Sequence, residues 1–299
     1  MLDYASLSAL AAIVREGSFE RAAAALGVTP SAISQRLKLL EERLGTVLVV
    51  REQPCRATAV GARLCAHVEQ VRLMESEMVG ELPSILGQQA EERPTIRIAV
   101  NSDSLNTWFP AALTSFSEKT GALFDLVLED EGHTAERLRS GEVLAAVTAD
   151  PTPVQGCRTV ALGALRYLAV ASPAYVAKHF PSVVDEASLK GAPVLRYDRM
   201  DHLQARWARD HCGVDLASPR HWVPSTQAFI DLTLAGLAWG MNPEMLAAPY
   251  VKSGRLVELL PGKVTEVRLY WQASRVGARL LEALTGDVQR AARKVLRQV

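Results

Sequence analysis

Three helix starts and three helix stops fall within the first 45 residues, and this punctuation leaves the N-terminal segment few ways to fold. Apolar residues recur at helical spacing through Leu2, Leu7, Leu10, Ala11 and Val14, and Gly17 stops the run. Ser18 caps a second helix with Phe19, Ala22, Ala23 and Leu26 inward and Glu20 in its first turn. Gly27 ends that helix after about two turns of ~3.6 residues. Thr29-Pro30 restarts the chain, Thr as the cap and Pro at the first helical position, where a missing N–H costs nothing. Ile33, Leu37, Leu40 and Leu44 then form one stripe that Gly45 closes. Three short helices with so tight a turn between the second and third match a helix-turn-helix.

The third helix determines what such a unit can touch. With its apolar stripe turned inward, Ser31, Ser34, Gln35 and Lys38 fall on the opposite face and Arg36 on the flank. Gln and Arg can pair bidentately with base edges, and Ser and Lys suit edges or phosphates. Residues 1–58 carry seven basic and six acidic side chains, but SAISQRLKLL holds Arg36 and Lys38 and no acid. A plain three-helix bundle with a solvated face gives the same spacing. The sequel favours the DNA-reading alternative: Val47 to Val50 reads as a short strand, Arg51 follows, and Cys55-Arg56-Ala57-Thr58 returns as a wing would. Arg51 is the candidate phosphate contact on that wing.

The run SFERAAAALGVTPSAISQRLKLLEERLGTVLVVR resembles the winged helix-turn-helix of LysR-type transcriptional regulators. The resemblance lies in the Ala-rich helix, the Leu-Gly turn, the S-x-x-I-S recognition helix, the L-E-x-x-L-G end and the final Arg. Pro30-Ser31 and Ser34-Gln35 stand where many members have Gln-Pro and Ser-Arg, so the resemblance implies DNA binding but not the operator sequence.

Thr58 caps a long helical stretch, from about Ala59 to Gln88, with Val60, Leu64, Val68, Val71, Met78, Leu82 and Leu86 on one side. Thirty residues at about 1.5 Å each make a rod of about 45 Å that needs a partner, most simply a second copy of itself. Pro83 kinks or ends the rod, and Gly87 with the Glu-Glu-Arg-Pro run marks its exit. A homodimer sets two recognition helices side by side, as half-site recognition requires. The family resemblance implies homotetramers built from such dimers, and residues alone support only the dimer.

From Thr95 the rhythm becomes strand, helix, strand: Ile96–Val100, Leu123–Leu128 and Val143–Val147, then a second set near Tyr167–Ala171, Val194–Tyr197, Trp222-Val223 and Trp239–Met241. Val267–Trp271 and an amphipathic helix through Leu280, Leu281, Leu284, Val288 and Val295 close the chain. Such alternation implies parallel βαβ units in a doubly wound sheet, in two lobes with crossovers near 161–165 and 263–267. Ligands in such sheets bind beyond the carboxyl ends of the strands. There the sequence places Ser102, Asp103 and Ser104, then Glu129 and Asp130, then Thr148, with Ser225 and Thr226 opening a helix opposite. Helix N-termini combined with carboxylates suit a zwitterion carrying an extra cation, such as lysine or arginine. Taken singly, these residues are also ordinary caps and turn formers. Trp108 is expected in the core or the pocket wall.

Composition removes other classes. The 33 Lys+Arg cancel the 33 Asp+Glu, hydrophobic residues make up 48%, and no apolar run approaches the ~20 residues that span a bilayer. MLDYASLSAL has no basic region ahead of an apolar one, so a secretory signal is not expected. Cys55, Cys65, Cys157 and Cys212 form no C-x-x-C pair, which fits reduced thiols in the cytoplasm. A two-lobed solute-binding protein would share the C-terminal pattern but not the DNA-reading helix. An enzyme is not expected, because no P-loop, GxGxxG, G-x-S-x-G or H-E-x-x-H appears. His202, His211, Cys212 and His221 lack tight ligand spacing, so neither metal nor cofactor is expected.

NSDSLNTWFP, LEDEGHT, GEVLAAVT and the terminal LYW resemble the ArgP/LysG subgroup of the LysR-type regulators, also called inhibitors of chromosome-replication initiation. That resemblance implies sensing of a basic amino acid and control of basic amino-acid export genes. A LysR-type regulator with a different small-molecule effector is the alternative. Asn242-Pro243, where many relatives have an aliphatic residue before Pro, departs from the pattern. The expected organisation is an α/β protein: a winged helix-turn-helix domain over 1–58, a linker helix over 59–89, and a periplasmic-binding-protein-like effector domain over 93–299. Its lobe I covers 93–163 and 266–299, and lobe II covers 164–265.

Overall fold

The computed structural model describes residues 3–81, 93–128, 134–276 and 278–298. Leu2, Leu82, Pro83, Leu86 and the expected linker exit fall outside them, so they are not described further. Helix α1 (Tyr4–Glu16) is capped by Asp3, whose carboxylate accepts from the amides of Ala5 and Ser6, and Gly17 ends it in the left-handed region. The Ser18 hydroxyl accepts from the Arg21 amide to start α2 (Phe19–Ala25). Thr29 accepts from the Ala32 amide to start α3 (Pro30–Leu44), with Pro30 in the first turn and Gly45 left-handed at the end. Ile33, Leu37 and Leu40 are buried against α1 and α2, but Leu44 is 39% exposed. By angle Leu44 lies on the apolar stripe, so its exposure shows that α3 runs a turn past the helices it packs on.

The wing is shorter than expected, β1 (Val49–Val50) against β2 (Arg56–Ala57), antiparallel. It is fastened at both ends. The Cys55 amide donates to the Gly17 carbonyl at 2.8 Å, and the Thr58 hydroxyl donates to the Val47 carbonyl at 2.9 Å. Thr58 also caps α4 (Ala59–Glu81), accepting from the Gly61 amide at 3.1 Å. A Cβ on Gly61 would lie 2.1 Å from the Leu48 carbonyl oxygen, so the wing and the linker helix can meet this closely only at glycine. The first turns of α4 do fold back, onto their own domain: Val68 is buried there and Leu64 packs against the same core. Val60 and Met78, expected on the apolar side, stand exposed.

The C-terminal part is built on one mixed seven-stranded sheet ordered β10-β6-β11-β5-β3-β4, with β9 also on β6. Its strands are β3 (Thr95–Val100), β4 (Leu123–Leu128), β5 (Ala145–Thr148), β6 (Cys157–Ala171), β9 (Gly240–Pro243), β10 (Val257–Glu258) and β11 (Val264–Ser274). The three N-terminal strands are parallel, as expected, but β6 and β11 pair antiparallel with each other from Val264↔Leu168 to Ser274↔Cys157. The expected parallel units are thus joined by an antiparallel pair that the strand–helix alternation does not reveal. Sequence reading placed β6 only at its last five residues, because Arg158, Thr159 and Gly163 interrupt the apolar pattern of its first half. One long pair of strands passes through both lobes, and a bulge interrupts it where Leu269/Tyr270 face Gly163/Ala161. Gly163 has φ +119°, and a Cβ there would meet the Arg297 carbonyl at 2.8 Å, so the C-terminal segment closes against the bulge.

Helices α5 (Ser102–Asn106), α6 (Phe109–Thr120), α7 (Thr134–Ser140) and the last helix α13 (Ala278–Val295) belong to the first lobe. The second lobe adds α8 (Pro173–His179), α9 (Glu186–Gly191), β7 (Val194–Arg196), α10 (Leu203–Cys212), β8 (Arg220–Trp222), α11 (Thr226–Leu234) and α12 (Glu244–Lys252). Its β7–β8 ladder is parallel and joins β9 through a Val194↔Trp239 bridge. Trp108, Trp207, Trp239 and Trp271 are all buried, which places Trp108 in the core as expected. No helix among the described residues is long and apolar enough to cross a membrane.

Gly61→Ala is expected to destabilise the protein by about 1–3 kcal/mol, the usual cost of forcing atoms into a packed contact. Gly191→Ala, which meets nothing within 4 Å, is expected to be neutral or better. Denaturant titration of the two variants beside the wild type checks both; equal loss in the pair would contradict the close approach at Leu48.

Candidate functional site

The outer face of α3 is placed as its spacing requires. Ser31, Gln35 and Lys38 are exposed, and Ser34 and Arg36 are half-buried on the same helix. Lys38 Nζ lies 3.6 Å from a Glu42 carboxylate oxygen, with both side chains largely exposed. Such a pair is worth little and leaves the ammonium free to move to a phosphate. On the wing, the Arg51 guanidinium lies over the Phe19 ring, 5.2 Å from its centroid. A cation–π contact of this kind steadies the base of the side chain while Arg51 stays exposed. Five of the six residues form a polar face on a helix capped at both ends, and Arg51 stands exposed after the first wing strand.

The second site is a cavity of about 330 Å³ between the lobes. It lies where β3, β6, β7 and β9 end or cross, with walls that include Ser102, Asp103, Tyr167, Asp201, Thr226 and Asn242. Its size sits at the lower end of ligand cavities, about 300–1,000 Å³, which suits a ligand no larger than a single amino acid.

A hydrogen-bond chain crosses this cavity wall from one lobe to the other. Thr226 Oγ1, at the start of α11 in the second lobe, donates to Asp103 Oδ1 at 2.6 Å. Tyr167, on β6, donates its phenol to Asp103 Oδ2 at 2.6 Å. Ser102 and Thr226 hydroxyls are 2.8 Å apart, and because Thr226 has spent its proton on Asp103, Ser102 is the donor. Desolvation raises the Asp103 carboxyl above the usual carboxylate range, and nearby Asp201 adds to this, although the bonds from Thr226 and Tyr167 oppose it. Burial and the Asp103 charge likewise hold the Tyr167 phenol well above its ordinary value.

Two further carboxylates reach the cavity from the turn after β7. Asp198 Oδ1 accepts from the amides of Met200 and Asp201 at 2.8 and 2.9 Å. Asp201 accepts from the amides of Tyr197 at 2.8 Å and Leu203 at 3.0 Å, and from the Gln204 side chain at 3.0 Å. A cation is present as well: Arg206 shares the lining with His202, and its guanidinium donates to the Glu266 carbonyl at 3.0 Å. Acids on two sides with a guanidinium and hydroxyls between them favour a ligand that carries both signs of charge.

Of the residues expected to hold the ligand, Ser102, Asp103 and Thr226 line the cavity. Ser104 does not; it is buried and accepts from the Trp108 indole at 3.1 Å. Thr148 is committed to the Asp150 amide at 3.1 Å, and Ser225 caps α11 by accepting from the Ala228 amide. Thr148 is held by its own turn and Ser225 by the cap it makes, and Ser104 lies inside α5. Glu129 and Asp130 lie outside the described residues. Sequence reasoning missed Tyr167, Asp198, Asp201 and Asn242. The acids had a usable signal, since Tyr197-Asp198 and Asp201 directly follow the carboxyl end of the parallel strand β7. Tyr167 had none, because a Tyr within a strand is most often a core residue. Among the described residues no three His, Cys, Asp or Glu side chains come together as a metal site, His202, His211, Cys212 and His221 included.

Comparison with known proteins bears on both sites. Residues 4–62 match the bacterial regulatory helix-turn-helix protein family of lysR type, and residues 89–293 match the LysR substrate binding domain. The chain is 46% identical over 285 residues to the HTH-type transcriptional regulator ArgP of Pseudomonas aeruginosa, covering 95% of this chain and 94% of that one. It is similar to the crystal structure of ArgP from Mycobacterium tuberculosis, with 41% identity, a TM-score of 0.82 and complete coverage, 100%, of both chains. Full-length LysG of Corynebacterium glutamicum with bound effector Arg matches with 37% identity and a TM-score of 0.69, over 99% of this chain and 100% of that one. A DNA-reading winged helix, an interlobe cavity and these matches over both halves lead to one assignment: the chain belongs to the LysR family of transcriptional regulators.

Proposed function

We propose that this LysR-type regulator senses a basic amino acid, lysine or arginine, in its interlobe cavity and controls genes for basic amino-acid export. The observation that carries the reading is the convergence of Asp103, Asp198 and Asp201 on one amino-acid-sized cavity. A neutral ligand would leave those acids uncompensated in a partly desolvated site, whereas a second cationic group offsets them. The arginine bound in the Corynebacterium glutamicum relative supports the same ligand class. The ligand carboxylate is assigned to the side of Arg206, Ser102 and the start of α11, and the cationic groups to the acids.

On the DNA side, Ser31, Ser34, Gln35 and Arg36 face base edges or the groove wall, and Lys38 and Arg51 hold phosphates. The domain division at 58, 89 and 93 is retained, with lobes exchanging near 163–164 and 265–266. Homodimers joined through α4 present two such faces to double-stranded DNA, and dimers pair into tetramers, in the cytoplasm. Ligand occupancy shifts the relative rotation of the lobes, and through it the spacing of the DNA-binding domains, only by its differential affinity for the two arrangements.

Titration calorimetry with L-lysine, L-arginine and neutral and acidic amino acids tests the effector. Saturable binding of a basic amino acid alone is expected, and folded protein that binds neither sinks the assignment. Because the carboxyl of Asp103 is raised in the folded protein, it favours the native state below the ordinary carboxylate range, and that contribution is lost as pH rises through its raised value. A bound cation favours the ionised form, so affinity is expected to increase over that same rise in pH. Asp103→Asn should flatten that dependence and lower affinity about tenfold or more, the size expected for losing a charged hydrogen bond. A pH slope unchanged by the substitution would exclude Asp103 as the group concerned. For DNA, Gln35→Ala should relax sequence preference. Lys38→Ala should weaken all DNA about equally and reduce the salt slope by about 1. Operator affinity and salt dependence unchanged in both variants would show that this face does not read DNA.

A further inference from the structure

The wall of the same cavity holds a buried amide that is only half used. Asn242, on β9, is fully buried, and its backbone lies in the ladder opposite Leu168 of β6. Its Nδ2 donates to Thr233 Oγ1 at 3.3 Å and sits 3.5 Å from the Gly240 carbonyl. The direction of the amide is set by Thr233. That hydroxyl gives its one proton to the Phe229 carbonyl at 2.8 Å, so toward Asn242 it can only accept. Turning the amide over would bring its oxygen against two acceptors. Nδ2 therefore faces α11 and the strand, and Oδ1, the other end of the group, is buried with no partner among the described residues.

A second amide oxygen, on another residue of the cavity wall, is in the same condition. Asn101 follows β3 in the first lobe, directly before α5, where an Asn side chain ordinarily caps the helix. Here it makes no capping bond, and its Oδ1 is buried without a partner among the described residues. Both residues line the cavity, one from each lobe. A buried acceptor left unpaired costs about 1–3 kcal/mol, and native proteins leave few of them. An aliphatic side chain of similar volume would remove that cost at Asn242 while filling the same space. The amide is thus unfavourable within the chain itself unless something else supplies its donor.

We infer that the Asn242 and Asn101 side-chain oxygens accept N–H groups of the bound effector, so that Asn242 is a specificity-determining residue of the second lobe. This rests on the reading of the cavity as the effector site. The chemistry is that of an ammonium or guanidinium, which offers several donors and no acceptor. Carboxylates can neutralise such a group from a distance, but its remaining N–H directions need neutral oxygens nearby. An acceptor contributed by each lobe adds a contact between the lobes only when the ligand is present. Helix α11 links this contact to the clasp described above. Thr226, Phe229 and Thr233 lie at spacings of three and four on one face, the first bonded to Asp103 and the last holding Asn242.

The test compares full-length wild type, Asn242→Leu and Asn101→Ala by thermal unfolding and by calorimetric titration with L-arginine and L-lysine. Asn242→Leu is expected to unfold, without ligand, at the wild-type temperature or above it, because an orphaned polar group has been removed. Its affinity for the basic amino acid is expected to fall at least about tenfold, the consequence of leaving ligand donors buried and unpaired. Asn101→Ala, whose side chain makes no capping bond, is expected to lose affinity in the same direction with little change in unfolding temperature. Affinity within about twofold of wild type in both variants, a factor worth only ~0.4 kcal/mol, overturns the inference alone. So does an Asn242→Leu protein whose ligand-free stability drops, since the amide would then act through its Nδ2 bonds. Wild type that binds neither amino acid overturns the effector reading and the inference with it.

Discussion

The antiparallel pairing of β6 with β11 is the constraint on which the effector-binding part of the molecule depends. These two strands are the ones that run from one lobe into the other, and their ladder extends from Val264↔Leu168 to Ser274↔Cys157. In the first lobe β11 hands the sheet on to β5, and in the second β6 hands it on to β9 and β10. A pair of strands hydrogen-bonded throughout resists shear but bends where its register slips, and the slip lies at Leu269/Tyr270. Tyr167 and Val267, close to that point, line the cavity. The cavity therefore lies against the strand pair that joins the two lobes.

Placing the cavity there explains its chemistry. Asp103 belongs to the first lobe, Thr226 to the second and Tyr167 to the connecting strand, so one first-lobe carboxylate accepts bonds from the other two parts. Its desolvation is unfavourable to the charged form, and the two hydroxyl donors offset that only in part. Asp198 and Asp201 are used differently, since each is anchored by backbone amides of its own turn. They hold the shape of the turn and present negative charge at the same time. The orphaned oxygens of Asn101 and Asn242 extend this pattern of polar groups whose arrangement is incomplete within the chain itself.

The DNA-binding domain follows a separate logic with the same economy of contacts. Helix caps at Asp3, Ser18 and Thr29 determine where each helix begins, and left-handed glycines at Gly17 and Gly45 determine where the first and third end. The wing contributes almost no ladder of its own and is held by Gly17, Thr58 and the close approach of Gly61 to Leu48. The wing thus touches both the start of α4, at Gly61, and the end of α1, at Gly17.

The features legible in the amino-acid sequence are the local ones. Caps, glycine stops and the Ile33–Leu37–Leu40 stripe depend on residues within a few positions of one another, so neighbouring residues suffice to specify the helix-turn-helix and its outward face, Ser31 to Lys38. The strands Ile96–Val100 and Leu123–Leu128 are legible for the same reason, being short apolar runs between clear turns. Long-range packing settles the rest. Leu44 obeys the helical period and is still exposed, because exposure depends on where the neighbouring helices stop. Arg158, Thr159 and Gly163 break the apolar pattern of the first half of β6, and what holds it as a strand, β11 and the C-terminal segment, lies far away in the chain. Among the cavity residues, Ser102, Asp103 and Thr226 stand out at strand and helix ends. Ser104, Thr148 and Ser225 look identical in sequence, and only packing separates a hydroxyl turned into the cavity from one satisfied by its own turn. Tyr167 and Asn242 lie inside strands, where side-chain type says nothing about which face meets a ligand; that is settled by the register of β6 against β9 and β11.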